Sequence, residues 1–153
     1  MQGNNAIRNI RVLLVDDDTT IQILMRKVME LIGVEDIVIA SNGDTGFQKF
    51  KEYDPDIVFT DYLMPKIDGV RLLNNIKAEK PDVKVVLYTG NYKKLLNDTL
   101  IGEKFVPDYI LQKPFITVEN IFDIMQVNFP EQQYRRKYDA NIQKIIKESE
   151  EKS

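Results

Sequence analysis

Residues 10–40, IRVLLVDDDTTIQILMRKVMELIGVEDIVIA, decide the fold. Ile10 to Val15 is a short apolar run that ends abruptly in Asp16, Asp17 and Asp18. From Thr19 the period changes. Ile21, Leu24, Met25, Val28 and Ile32 recur along one helical face, with Asp18 or Thr19 available as N-cap and Gly33 as a stop. The spacing predicts a helix of about four turns. Ile37 to Ala40 then returns to a short β-branched run. Strand, helix and strand joined by brief turns form the unit of a parallel sheet, because a parallel neighbour is reached only through a crossover.

The unit repeats. Ile57 to Phe59, Val85 to Tyr88 and Tyr109 to Leu111 are further short apolar runs, expected to be buried on both faces. Helices are expected from Thr45 to Tyr53 with Phe47 and Phe50 inward, and after Asp68-Gly69 with Val70, Leu73 and Ile76 inward. A fourth is expected near Tyr92 to Ile101, and a fifth from the Thr117 cap with Val118, Ile121, Phe122 and Met125 inward. Five strands alternating with five helices predict an α/β fold, a doubly wound parallel sheet covered on both faces. In such sheets ligands sit outside the carboxyl ends of the strands. Pro130 ends the last helix. Beyond it Tyr134, Tyr138, Ile142 and Ile145 keep helical spacing, an extra C-terminal amphipathic helix that packs on its own domain or frays, or that meets a partner or a second copy in a homodimer. The expected division is a leader over 1–9, the domain over 10–129 and a helical tail over 130–153.

The 153 residues suit one domain, and a formal charge of -3 gives no long-range attraction for nucleic acid. The cluster Arg135, Arg136 and Lys137 reads as a solvated helix face, so direct nucleic-acid binding is not expected. With no cysteine and no histidine, disulfides, thiolate metal sites, Ser-His-Asp triads and HExxH zinc chemistry are excluded. No apolar run is long enough for a membrane span, and residues 1–9 lack the apolar core of a signal peptide, so a cytoplasmic location is expected.

Reactive groups stand at the ends of four strands: Asp16-Asp17-Asp18, Asp61, Thr89 and Lys113. In a parallel sheet all project onto one rim. Adjacent carboxylates at the edge of a low-dielectric core require a cation or donors, and acids from two strand ends suit Mg²⁺. Carboxylates, a hydroxyl and an ammonium together make a set for phosphoryl transfer. Asp16-Asp17-Asp18-Thr19-Thr20 alone leaves open whether the nucleophile lies there.

DYLMPKIDG, residues 61–69, resembles the DxxMPxxDG signature of response-regulator receiver domains of two-component signal transduction, with Asp61 in the phosphoacceptor place. VDDD at the first strand, TG at the fourth and KPF at the fifth look like the family's other marks, in the family's order. The resemblance implies a flavodoxin-like sheet in the order 2-1-3-4-5. It also implies that Asp61 takes a phosphoryl group from a sensor histidine kinase or a histidine phosphotransfer protein. Asp17, Asp61 and the Leu63 backbone carbonyl would hold Mg²⁺, with Asp16 acting mostly through water. Lys113 would pair with the phosphoryl group and Thr89 would swing to meet it, altering a surface read by an output protein or a fused domain. The family is a signalling domain rather than an enzyme, assisting only its own phosphorylation and dephosphorylation.

Two features depart from the family. Its aromatic switch position holds Ile110, and Tyr109, one place earlier, is expected to face the other way. IGEKFVPD, residues 101–108, replaces the usual small-residue turn. Leu63 and Asn91 occupy positions where the family tunes dephosphorylation, and an apolar Leu63 is expected to hinder water and lengthen the life of the phosphoryl group. Two rival readings stand beside the receiver. The first is a haloacid-dehalogenase-type phosphatase, whose DxDx(T/V) motif residues 16–20 satisfy with Asp16 as nucleophile; that family places its late acids after the Thr and Lys, whereas Asp61 precedes both. The second is a pseudo-receiver that binds without being phosphorylated.

Overall fold

Side chains alternate across each strand, and this sorts the core into two layers. A computed structural model describes residues 9–64, 68–90, 93, 106–113, 117–132, 134 and 148–151. Its strands are β1 (Arg11–Val15), β2 (Asp36–Ala40), β3 (Ile57–Asp61), β4 (Lys84–Thr89) and β5 (Tyr109–Gln112). All pairs are parallel, in the order β2-β1-β3-β4-β5. The helices are α1 (Thr19–Ile32), α2 (Gly43–Tyr53), α3 (Gly69–Glu79) and α4 (Val118–Asn128). Val12, Leu14, Phe59, Val86 and Tyr88 pack with residues of α1 and α4 on one face; Leu13, Val15, Val58, Val85 and Leu87 pack with residues of α2 and α3 on the other. The doubly wound fold expected from the sequence is the one observed.

Three details differ from expectation. Leu24 is 43% exposed, and Met29 is buried instead. The inward stripe of α1 is Met25, Val28, Met29 and Ile32, and Leu24 lies about 90° round the helix from its centre. Burial on both faces holds for β1, β3 and β4, whereas β2 and β5 are edge strands and are mostly half-buried. Helix α2 starts two residues before Thr45, because the Asn42 side chain accepts from Thr45 N–H at 2.8 Å and caps it there.

The remaining helix ends match the sequence. Asp18 caps α1, and Gly33 stops it with φ 105°, a left-handed conformation that suits glycine. Thr117 caps α4. Tyr134, the first apolar position of the tail, packs against the core edge-on to Phe122, ring centroids 6.2 Å apart. The expected fourth helix (apart from Lys93), Asn91, the leader to residue 8, residues 101–105, Arg135, Arg136, Lys137, Tyr138, Ile142 and Ile145 lie outside the described residues. Among the described residues, no helix is long and apolar enough to cross a membrane.

Candidate functional site

The β1 ladder runs one residue past the strand, since Asp16 N–H donates to the Ala40 carbonyl at 3.1 Å. Alternation therefore sends Asp16 inward beside Leu14, and it is 1% exposed. Its Oδ1 accepts from Asp18 N–H at 2.8 Å, while the Gln22 amide donates to its carbonyl at 2.6 Å. Asp17 is exposed at the mouth. Asp18 accepts from Thr20 N–H at 2.8 Å and belongs to the helix cap. Three successive carboxylates thus have three different surroundings.

Asp61 is the last residue of β3 and is buried. The chain turns sharply after it, with Tyr62 N–H donating to the Tyr88 carbonyl at 3.0 Å and Gly69 N–H to the Tyr62 carbonyl at 2.9 Å. A Cβ on Gly69 would stand 2.3 Å from the Asp61 carbonyl oxygen, so only glycine lets α3 begin this close to the strand end. Asp68 caps that helix, accepting from Arg71 N–H at 2.9 Å. Pro65, Lys66 and Ile67 of the signature lie outside the described residues.

Lys113 follows β5, and its N–H donates to the Thr89 carbonyl at 2.7 Å. Its Nζ lies 3.2 Å from Asp61 Oδ2 and 3.6 Å from Asp16 Oδ2. Carboxylate oxygens of Asp16, Asp17 and Asp61 lie within 4.8 Å of one another. Burial, then the Asp16 charge, push the Asp61 carboxyl above its ordinary range, while Lys113 and the Leu63 N–H partly hold it down. Among the described residues, three acids against one ammonium leave the cluster negative. Asp16 Oδ2 is buried with no hydrogen-bond partner among the described residues. An all-oxygen donor set with surplus negative charge and an orphaned buried oxygen fits a hard divalent cation.

Of the residues singled out in the sequence, the fold joins Asp16, Asp17, Asp61 and Lys113. Thr89 ends β4 at the same rim, paired in register with Gln112. Leu63 presents its N–H to Asp61 and leaves its side chain exposed. Ile110 packs on the α2/α3 face, and Tyr109 on the opposite face, its hydroxyl accepting from the Asn128 amide at 2.9 Å. Sequence reasoning took Tyr88 for an ordinary strand residue. Its ring lies under Lys113, with Nζ 5.3 Å from the centroid. The signal was its hydroxyl, which a buried tyrosine must satisfy.

A family profile, the response regulator receiver domain, matches residues 12–126. The chain belongs to that family. The receiver is 33% identical over 137 residues to the probable C4-dicarboxylate response regulator DctR of Bacillus subtilis, covering 89% of this chain and 58% of that protein. It is 30% identical to the chemotaxis protein CheY of the same organism, over 69% of this chain and 86% of that one. Among solved structures, a response regulator receiver domain protein from Clostridium thermocellum superposes with a TM-score of 0.70 at 28% identity, over 80% of this chain and 95% of the other. The receiver is a phosphoacceptor signalling domain of the two-component class, and the comparisons favour neither rival reading over it.

Proposed function

We propose that Asp61 is the phosphoacceptor and that Asp17, Asp61 and the Leu63 carbonyl hold Mg²⁺, with Asp16 acting through water. The supporting observation is the buried Asp61 carboxylate set between Lys113 at 3.2 Å and the Asp16 and Asp17 oxygens. An Asp61 oxygen attacks the phosphorus of a phosphohistidine on a sensor kinase or phosphotransfer protein. The P–O bond forms as the P–N bond breaks, and the imidazole leaves with the electron pair and takes up a proton. Mg²⁺, when bound, neutralises charge that develops on the phosphoryl oxygens. Lys113 adds a second positive group for the phosphoryl oxygens, and the Thr89 hydroxyl would donate to one of them.

The added charge and acceptor oxygens reorder the surface near β5. Ile110 carries the signal there in place of an aromatic ring, because Tyr109 is committed to the opposite face. The receiver spans residues 10–129 and the tail 130–153; it acts in the cytoplasm, assists only its own phosphorylation and dephosphorylation, and passes its state to an output protein or fused domain.

Acetyl phosphate with Mg²⁺ should label the protein to about one phosphoryl group per chain, as a single acceptor carboxylate requires. Asp61→Asn should abolish the label. Labelling that ignores Mg²⁺ or survives that substitution overturns the assignment, and many-fold turnover of p-nitrophenyl phosphate would favour Asp16 as a phosphatase nucleophile.

A further inference from the structure

Lys113 is carried by a strand with little apolar burial to fix its register. β5 has four residues at the edge of the sheet, with Tyr109, Ile110 and Leu111 half-buried and Gln112 exposed. In β1, β3 and β4 buried residues on both faces resist a slip, whereas β5 has less to lose by one. A slip of one residue would move Lys113 by about 3.3 Å and turn Tyr109 and Ile110 to the opposite faces. Its Nζ, 3.2 Å from Asp61 Oδ2, would leave that contact.

At the other end of β5 one carboxylate closes the register. Asp108 N–H donates to the Val85 carbonyl at 2.8 Å, and Asp108 Oδ2 accepts from Val85 N–H at 2.8 Å, so both backbone groups of a single β4 residue are gripped. The same Oδ2 accepts from Lys77 Nζ at 2.8 Å, and that ammonium also donates to the Pro81 carbonyl at 3.2 Å. Lys84 Nζ stands 4.0 Å from Asp108 Oδ1. Lys77 is buried in the last turn of α3, so the pair ties that helix, the turn into β4, β4 itself and the entry to β5.

Stability alone does not account for a buried ammonium here. Replacing a buried ion pair with apolar groups is often neutral or stabilising, because desolvation offsets the attraction. Methionine would cover the apolar surface that the lysine stem covers. It would not hold the Asp108 carboxylate against Val85, which the charge-assisted bond from Lys77 does.

We infer that Lys77 and Asp108 form a register clamp for β5, two positioning residues that act on the Asp61 site by fixing where Lys113 stands. Neither touches the phosphoryl group. The inference rests on the proposed pairing of Lys113 with a phosphoryl group on Asp61.

The test uses the full chain, with beryllofluoride as the phosphoryl mimic titrated at saturating Mg²⁺ by calorimetry, and Mg²⁺ titrated alone. In Lys77→Met/Asp108→Ala, which removes both charges together, beryllofluoride affinity should fall about tenfold, because Lys113 no longer stands where its charged hydrogen bond forms. Lys77→Met/Asp108→Asn keeps an acceptor for Val85 N–H and should lose about threefold. Mg²⁺ alone should bind the alanine form about threefold more tightly, since a displaced ammonium no longer competes for the acids. In a Lys113→Ala background the same substitutions should cost beryllofluoride almost nothing further. Wild-type beryllofluoride affinity in the asparagine form overturns the inference, whether or not the alanine form folds. Parallel losses of Mg²⁺ and beryllofluoride, or an equal cost with and without Lys113, mark a purely structural pair and also overturn it. A wild-type protein that takes no beryllofluoride overturns the phosphoacceptor reading instead; the clamp is then judged on Mg²⁺, and unchanged Mg²⁺ affinity in both forms overturns it.

Discussion

Replacing Asp61 with asparagine should stabilise the metal-free receiver near neutral pH. At an effective dielectric of 20, carboxylate oxygens no more than 4.8 Å apart repel by at least about 3.5 kcal/mol, so Asp16 and Asp17 together oppose an ionised Asp61 by at least about 7 kcal/mol before solvent screening. Lys113 at 3.2 Å returns about 5 kcal/mol. The remaining ~2 kcal/mol is reduced to about 1 kcal/mol because Asp17 is exposed and screened. Relief of the burial cost of Asp61 adds to it in the same direction. A gain of about 1–2 kcal/mol should raise the midpoint by about 3–6 °C for a domain of this size. The folded carboxyl titrates above its ordinary value of 3.8, so the folded state binds more protons between the two values and stability falls as pH rises through that window. The advantage of Asp61→Asn should therefore be absent below pH 3.8, grow through the raised value and stay level at neutral pH. Calorimetric scans in chelator across this range measure it, and added Mg²⁺ should erase it by restoring the wild type selectively. A variant less stable than wild type at pH 7 in chelator would refute the argument that crowded carboxylates strain the fold.

Gly69→Ala drives a Cβ to 2.3 Å from the Asp61 carbonyl oxygen and should destabilise by about 3 kcal/mol or more in urea unfolding, with weaker Mg²⁺ binding as Asp61 shifts. Asp18→Ala removes the α1 cap and should cost about 1 kcal/mol of stability with Mg²⁺ affinity unchanged; a loss of metal affinity like that of Asp17→Ala would contradict the division of the three acids. Leu63→Gln offers water a polar neighbour beside the phosphoryl group and should shorten its lifetime about tenfold, or ~1.4 kcal/mol of barrier. Loss of radiolabel from the isolated phosphoprotein measures this, and wild-type label that vanishes within seconds would contradict a protective Leu63.

The fold was legible because its signals are local. Short β-branched runs separated by helical spacing dictate strands and helices, and Asp18, Thr117 and Gly33 act within a few residues of where they stand. Much of the rim was legible for the same reason, since in a parallel sheet every strand end points one way, and DYLMPKIDG carries its own punctuation. Leu24 was misjudged because helical spacing defines a stripe without saying which edge of it meets the sheet. The buried Lys77, whose Nζ donates to Asp108 Oδ2 at 2.8 Å and to the Pro81 carbonyl at 3.2 Å, carried no signal either, because its partner lies 31 residues away.

By itself the sequence determined the alternation of elements, the helix ends and the chemical kinds of group at the strand ends, all properties of neighbours along the chain. Only the tertiary structure decided that Asp16 is buried and Asp17 is not, that Lys113 stands between Asp16 and Asp61, and that the Tyr88 ring lies beneath it. Those facts depend on the register of four strands at once. Coulomb energy and desolvation depend on distances across the sheet, which the order of residues within any one strand does not contain.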